Sequence, residues 1–313
     1  MSSTAVAAIV LNYQHAEDTI RCLATLGRQS YLNMFPIVVD NGSDDIHVDH
    51  LRHGLDPAVT LIENGENLGY AAGNNVAIRA ALDMGVDHVW VLNPDTTTEP
   101  DTLEWMVRAA TAHPDAGIVG SRVFYGGSSP LKIWFDGATI DLDGDGSVEH
   151  RHMGALDAET PAAEAFRTGY VTGTSMLIRR ETLTDVGLLP EDYFLYFEET
   201  HFNVDVQRAG WATVVEPRSR VHHFKRSTGA LPTAAYMYYY VRNRLIFGSR
   251  FTSATTDRMI DDLDYFLTTW RGRVERGAPD WVASFDELVA LALADGRAGT
   301  TGRRDLTPYG SPR

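Results

Sequence analysis

The sequence predicts an α/β fold with a mixed, mostly parallel sheet carrying helices on both faces. Two observations carry this reading. Short apolar runs without polar alternation alternate with longer segments of helical periodicity, as in strands buried on both faces. Polar tips rich in Asn, Asp and Gly follow those runs, and ligands bind such sheets at the carboxyl ends of their strands.

Residues 5–11 read as the first strand, ending at Asn12, and residues 17–29 as a helix with Ile20, Leu23 and Leu26 on one side. Residues 35–39 form a second strand that ends at Asp40-Asn41-Gly42-Ser43, and residues 59–63 a third. A helix over residues 73–84 carries Val76, Ile78, Ala81 and Leu82. Residues 88–92 form the fourth strand, ending at Asn93-Pro94-Asp95, and residues 103–112 another helix. Asn12, Asp40, the Asn67-Leu68-Gly69 turn and Asp95 are therefore expected on one rim.

Further on, residues 117–124, 133–140 and 171–179 are strand-like, with a turn at 141–146 and a short helix at 181–186. A helix over 197–209 stops at Gly210, and residues 212–216 form a last strand running into Val221-His222-His223. Residues 236–247 and 257–270 read as helices, and the Gly-, Arg- and Thr-rich residues 296–313 as a disordered tail.

A chain of 313 residues with 44% hydrophobic and 22% charged residues is ordinary for a soluble globular protein. The net charge of −15 argues against nucleic acid or an anionic membrane as partner, although a bound metal can still bring phosphate to an acidic protein. No apolar run is long enough for a membrane-spanning helix, and no basic leader precedes the first strand, so a cytoplasmic protein is expected. The single cysteine, Cys22, excludes an internal disulfide.

Asp95 presents one carboxylate in a Pro-fixed turn, followed by Thr96, Thr97 and Thr98. One acid cannot hold a hard cation, so phosphates, water and a distant side chain must complete any metal shell. His222 and His223 are candidates, because neutral imidazole is a sound ligand. Asp40 can be a plain turn residue or an acceptor for a nucleobase or ribose. The glycines of residues 67–75 suit close approach of phosphate or sugar, but no Walker ending follows. Residues 141–146 match the start of an EF-hand loop, yet His152 stands where its bidentate Glu belongs, so an acidic hairpin turn is expected. Glu198 and Glu199 open the helix before Gly210. Glu199 shares a stripe with Phe202 and Val206 and is expected to face inward, while Glu198 shares one with His201, Asp205 and Arg208.

Together these residues resemble family 2 glycosyltransferases of the GT-A fold, closest to the rhamnosyltransferase-like and galactofuranosyltransferase-like members. The matching blocks are Ile9-Val-Leu-Asn-Tyr13, Val39–Ser43, Asn67–Asn75, Asn93–Asp95, Trp134-Phe-Asp-Gly137, Gly169–Arg179, the acidic pair at Glu198, the His-containing strand end and Tyr239-Tyr-Val-Arg-Asn243. The resemblance implies a GT-A domain over residues 1–230, a helical extension over 231–295 and the tail over 296–313. It implies inverting transfer of a sugar from a dTDP- or UDP-linked donor to an acceptor hydroxyl, with Mg²⁺ or Mn²⁺. Asn12 and Asp40 would hold base and ribose, with Asn67, Gly69, Asn74 and Asn93 also on the donor. Asp95 would anchor the metal, completed by His222 or His223, while Trp134, Asp136, Gly173, Thr174, Arg242 and Asn243 would contact substrate. The base would be Glu198 or Glu199, and the inward-facing stripe favours Glu199.

Two positions depart from the family. Glu199 stands where Asp is usual, a reach longer by about 1.5 Å, and His201 stands where a second acid is usual. They motivate a rival reading as a nucleotide-sugar binding protein without catalysis; a sugar nucleotidyltransferase is a third. The acceptor is a saccharide, a lipid-linked saccharide or a small natural product, and the C-terminal helices are a packing lid or an acceptor and homodimer surface.

Overall fold

The computed structural model describes residues 4–161, 164–224 and 231–312. The first stretch alternates strand and helix as β1 (Val6–Asn12), α1 (Ala16–Leu26), β2 (Met34–Asp40), α2 (Asp45–Gly54), β3 (Thr60–Glu63), α3 (Tyr70–Asp83) and β4 (His88–Leu92). Next come β5 (Thr96–Thr98), α4 (Thr102–Ala112), β6 (Ala116–Tyr125), β7 (Ile133–Phe135), β8 (Ala138–Ile140) and β9 (Val148–His150). Then follow β10 (Phe166–Arg167), β11 (Ser175–Arg179), α5 (Arg180–Val186), α6 (Glu198–Arg208) and β12 (Ala212–His223). The helices α7 (Ala234–Phe251), α8 (Thr256–Gly277) and α9 (Val282–Ala298) complete the regular structure.

The main sheet has the order β10-β12-β6-β11-β4-β1-β2-β3, with β5 on β12 and β7 on β6. β1 pairs in parallel with β2 and β4, β2 with β3, and β6 with β12. β11 runs antiparallel to both β4 and β6, so β6 and β12 point the same way as β1 to β4. Six strands thus share one direction, and β5, β7, β10 and β11 oppose it. The register sets Asn12 beside Asp40 and Val10 beside Leu92, which gathers three strand ends on one rim.

The expected mixed, mostly parallel α/β sheet is present. Five elements were not foreseen: α2, β5, β9, β10 and α9. α2 begins inside the Asp-rich turn, where Asp44 caps it by accepting from the His47 N–H. β5 is three threonines that pair with the end of β12. α9 follows the two helices expected in the C-terminal region. The strand expected over 133–140 is broken at Asp136-Gly137 into β7 and β8, where Gly137 takes a positive φ of 85°. Residues 141–146 form the acidic turn: Asp141 Oδ1 accepts from the Gly144 N–H and Asp145 Oδ1 from that of Ser147.

The core on one side of the sheet centres on Trp90, with Cys22, Leu23 and Leu26 of α1 and Leu103, Met106 and Ala110 of α4. Trp90 Nε1 donates to Ser175 Oγ at 3.0 Å, and Ser121 Oγ lies 2.8 Å from both Ser175 Oγ and Ser219 Oγ. These buried hydroxyls satisfy one another and the indole N–H without water.

The chain divides into two compact units. The first holds the sheet. The second holds α7, α8 and α9 together with Ile140–Val148 and Glu191–Glu198. The boundary expected after residue 230 adjoins residues 225–230, which lie outside the described ones. The helical unit also includes two segments from mid-chain. Its core packs Met237, Tyr238 and Leu245 of α7 against Met259, Leu263, Phe285 and Leu288. The tail expected to be disordered is built onto this unit as far as residue 312. Trp281 Nε1 donates to the Tyr309 carbonyl, Arg242 to that of Gly302, and the Arg304 N–H to Tyr239 Oη. Composition misled here because these bonds use backbone groups that Gly, Arg and Thr supply as well as any residue.

Candidate active site

The rim begins with Asn12 and Asp40, which are 0% and 1% exposed. Asn12 Nδ2 donates to Asp40 Oδ1 at 2.8 Å, and Asn12 Oδ1 accepts from Thr19 at 2.8 Å. Asp40 Oδ2 accepts the N–H groups of Gly42 and Ser43 at 3.2 and 2.9 Å. Both side chains are engaged in shaping the 40–43 turn.

Asn41 locks this turn to the next block. Its Nδ2 donates to Asn67 Oδ1 and the Gly69 carbonyl at 3.1 and 3.0 Å, and its Oδ1 accepts from Asn64 and Leu68. Gly69, with φ 88°, opens α3. Asn74 is buried and donates to the Tyr70 carbonyl, while Asn75 both donates to and accepts from the Leu189 backbone. Thus most of the Asn-rich block joins strand ends to each other.

Asn93 takes its N–H to the Thr174 carbonyl at 3.2 Å. Tyr70 Oη donates to the Gly173 carbonyl at 3.0 Å, and a Cβ on Gly173 would lie 2.6 Å from that oxygen, so the position must be glycine for the ring to approach. Thr174 is 2% exposed, with its hydroxyl 3.2 Å from that of Thr172.

Asp95 and His223 meet. β5 pairs antiparallel with β12, setting Thr96 opposite His223, and the Phe224 N–H donates to the Asp95 carbonyl at 2.8 Å. Asp95 Oδ1 consequently lies 3.0 Å from His223 Nε2, with the carboxylate partly exposed and the imidazole buried. Trp134 stands edge-on to His223 at a ring separation of 5.0 Å.

His222 points elsewhere. Its Nε2 is 3.4 Å from Glu99 Oε1, its ring lies 5.4 Å from that of Phe124, and Arg220 bonds the same carboxylate. Hydrogen bonding to His222, together with Arg220, holds Glu99 below the usual carboxylate range. Alternation along β12 explains the split, since successive side chains leave opposite faces of a strand.

A carboxylate oxygen and an imidazole nitrogen 3.0 Å apart, the carboxylate partly exposed, are ligand types that suit a divalent cation whose other ligands are phosphate oxygens and water. Among the described residues no group of three or more His, Cys, Asp or Glu side chains is placed to hold a metal.

Glu198 and Glu199 open α6. Glu198 is 3% exposed and Glu199 half-buried, so the helical stripe that would turn Glu198 outward does not govern the first turn. Phe202 and Val206 do face inward, at 1% and 0% exposure. Glu198 groups with the loop that enters the helix, and Glu199 with the sheet-bearing unit. Tyr170 Oη donates to Glu199 Oε1 at 3.0 Å. Burial and the Glu199 charge push the Tyr170 phenol well above its ordinary 10, so it stays a donor. Asn203, one turn on, donates to the carbonyls of Glu199 and Val171 and accepts the Val171 N–H. This fixes Tyr170 against Glu199. Neither Tyr170 nor Asn203 was singled out in sequence; the signal was an Asn four residues after Glu199 in a helix.

Three residues expected to contact substrate have partners inside the protein. Asp136 is 1% exposed and holds Arg122 through two bonds of 3.1 Å, with His152 Nδ1 at 2.9 Å. Arg242 and Asn243 are fully buried and bond backbone carbonyls. All three are thus engaged by partners within the protein.

A family model described as glycosyl transferase family 2 matches residues 7–187, from β1 through α5. The chain belongs to that family. Within it, an N-acetylglucosaminyl-diphospho-decaprenol L-rhamnosyltransferase from Mycobacterium tuberculosis is 26% identical over 245 residues, or 72% of this chain and 78% of the relative. Galactofuranosyltransferase GlfT1 of the same species is 34% identical over 91 residues, covering 29% of this chain and 30% of that one. These relatives place this family 2 chain near the rhamnosyl- and galactofuranosyltransferases. A mannosyltransferase from Pyrobaculum calidifontis, solved in complex with GDP-Man and Mn²⁺, superposes with a TM-score of 0.56 at 20% identity, covering 94% of this chain and 79% of that one. Its likeness shows the GT-A fold. No helix among the described residues is long and apolar enough to cross a membrane.

Proposed function

We propose that this glycosyltransferase moves a sugar from a nucleoside diphosphate sugar to an acceptor hydroxyl with inversion, using a divalent cation held by Asp95 and His223. The observation that carries the reading is the 3.0 Å approach of Asp95 Oδ1 and His223 Nε2 where β4 and β12 end. The neighbouring fold bound to GDP-Man and Mn²⁺ supports it.

In this reading the rim fixed by Asn12, Asp40 and Asn67 receives base and ribose, and Gly69, Asn74 and Asn93 border the diphosphate. Glu199 accepts the proton of the acceptor O–H as the acceptor oxygen bonds the anomeric carbon. The carbon–oxygen bond to the diphosphate breaks, and the leaving group departs with the electron pair. A bound cation would neutralise the charge that the diphosphate gains. Tyr170 orients the Glu199 carboxylate, and its permanent proton keeps that bond intact during turnover. Trp134 packs on His223 and limits its swing. The relative that acts on a diphospho-decaprenol sugar favours a lipid-linked saccharide as acceptor over a free one. The donor in this reading is a thymidine or uridine diphosphate sugar, as the resemblance of the sequence implies.

Thermal shift with dTDP, UDP and GDP, with and without Mn²⁺, tests the site. Stabilisation that requires Mn²⁺, and that Asp95→Asn and His223→Ala abolish while His222→Ala does not, is expected. Glu199→Gln should keep that stabilisation and lower kcat by about 10²–10⁴-fold. No nucleotide-dependent shift would sink the donor site. Donor binding without transfer to any saccharide acceptor would favour a binding protein, and released pyrophosphate a nucleotidyltransferase.

A further inference from the structure

The backbone just before the acidic pair adopts a conformation that L residues avoid. Phe194, Tyr196 and Phe197 have φ of 66°, 68° and 75°. No glycine relieves the turn, and it leads directly into Glu198, the first residue of α6. Such clusters persist only where surrounding structure over-determines them.

The over-determination comes from α7. Asn243 Nδ2 donates to the carbonyls of Tyr193, Leu195 and Tyr196 at 3.0, 2.7 and 2.9 Å. Arg242 Nη2 donates to the same Tyr193 carbonyl at 2.7 Å, and its Nε donates to Asn243 Oδ1 at 2.8 Å, fixing which way the amide faces. Nη1 donates to the Gly302 carbonyl at 2.7 Å, and the guanidinium lies 5.2 and 4.9 Å from the ring centres of Tyr238 and Tyr239. Three carbonyls from four successive residues converge on one amide only if the chain curls into the left-handed region between them. The clamp and the unusual backbone are therefore one device.

We propose that Arg242 and Asn243 are positioning residues, whose bonds to the Tyr193–Tyr196 carbonyls hold the left-handed loop that aims the carboxylates opening α6. This rests on the reading of Glu199 as the base. A proton acceptor displaced by about 1 Å loses roughly a hundredfold in rate, so releasing the loop should act on the chemical step. Donor binding, set by the ends of β1, β2 and β4, should be spared.

The test is Asn243→Ala. The expected result is a kcat lower by about 30- to 100-fold, with the donor KM and the Mn²⁺–nucleotide Kd unchanged. Hydrogen exchange should accelerate at residues 193–198 and stay unchanged in β1 and β4. Adding Tyr196→Gly, which takes positive φ without strain, should restore at least about fivefold in kcat, because a relaxed loop needs less holding. If N243A does not fold, Asn243→Gln keeps both amide hydrogens on a longer arm and should give the same pattern more weakly. An unchanged kcat with unchanged exchange at 193–198 overturns the proposal, as does a kcat loss matched by loss of nucleotide binding. If the wild-type protein transfers no sugar, the functional reading fails, and the exchange comparison still decides whether Asn243 holds the loop.

Discussion

His88 opens β4 with an imidazole 6% exposed, and neither ring nitrogen has a hydrogen-bond partner among the described residues. Burial, reinforced by the Arg179 charge across the strand pair, lowers its pKa from 6.5 to about 4. The folded state thus binds its proton less readily than the unfolded chain. This contribution is fully present above pH 6.5 and is lost as pH falls from 6.5 toward 4, at up to about 1.4 kcal/mol per unit. His88→Phe removes the titration, so the variant should lose about 2–3 kcal/mol less stability than wild type between pH 7.5 and pH 4.5. Denaturant midpoints at the two pH values measure this, and parallel losses would refute it. At this scale the sequence marks polar residues more readily than it shows their partners. Asp95 stood out because a lone acid after a buried strand has few structural uses. Asp136, Arg242 and Asn243 stood out as parts of family-like blocks, and their partners, Arg122 and the 193–196 carbonyls, are remote in sequence or carry no side-chain signal.

The turn after β2 shows how elements constrain one another. Asn41-Gly42 was readable as a turn, and Gly42 does take a positive φ of 76°. What no local pattern could show is that a Cβ there would lie 2.4 Å from the Glu66 carbonyl carbon and 2.5 Å from its Cα. Backbone cannot yield as a flexible side chain can. Gly65 has nearly the same φ, 74°, and open space around it. The two glycines separate strain from crowding. Gly65→Ala should cost about 1 kcal/mol, the left-handed penalty alone. Gly42→Ala should cost about 3 kcal/mol or more by adding overpacking, and should also weaken nucleotide binding by shifting Asp40 and Asn67. Urea unfolding of both variants decides it, and equal losses would show that the Glu66 segment moves aside. The same dependence explains the unforeseen β5: Thr96–Thr98 is a strand only because β12 pairs with it.

At the scale of the molecule, the alternation of apolar runs with helices was enough to foresee the sheet, and strand direction then placed the polar tips on one rim. Division into units was less readable, since Glu191–Glu198 joins the helical unit through backbone carbonyls. Net charge adds a separate consequence. A chain of −15 repels a nucleoside diphosphate, so the two proposed ligands, Asp95 and His223, would need the cation to reverse the local sign. Raising ionic strength from 0.01 to 0.15 M shortens the screening length from about 30 to about 8 Å. Without divalent metal, screening weakens the repulsion, and nucleoside diphosphate affinity should rise by about twofold or more. With saturating Mn²⁺, attraction between cation and diphosphate outweighs that repulsion, and the same change should lower affinity. Calorimetric titrations in EDTA and in Mn²⁺ at both ionic strengths give the two slopes. Slopes of opposite sign are the signature of a site whose positive charge arrives with the metal. A falling affinity in EDTA would instead mean that the protein's own cationic side chains grip the phosphates, and Asp95 and His223 would lose their part in donor binding.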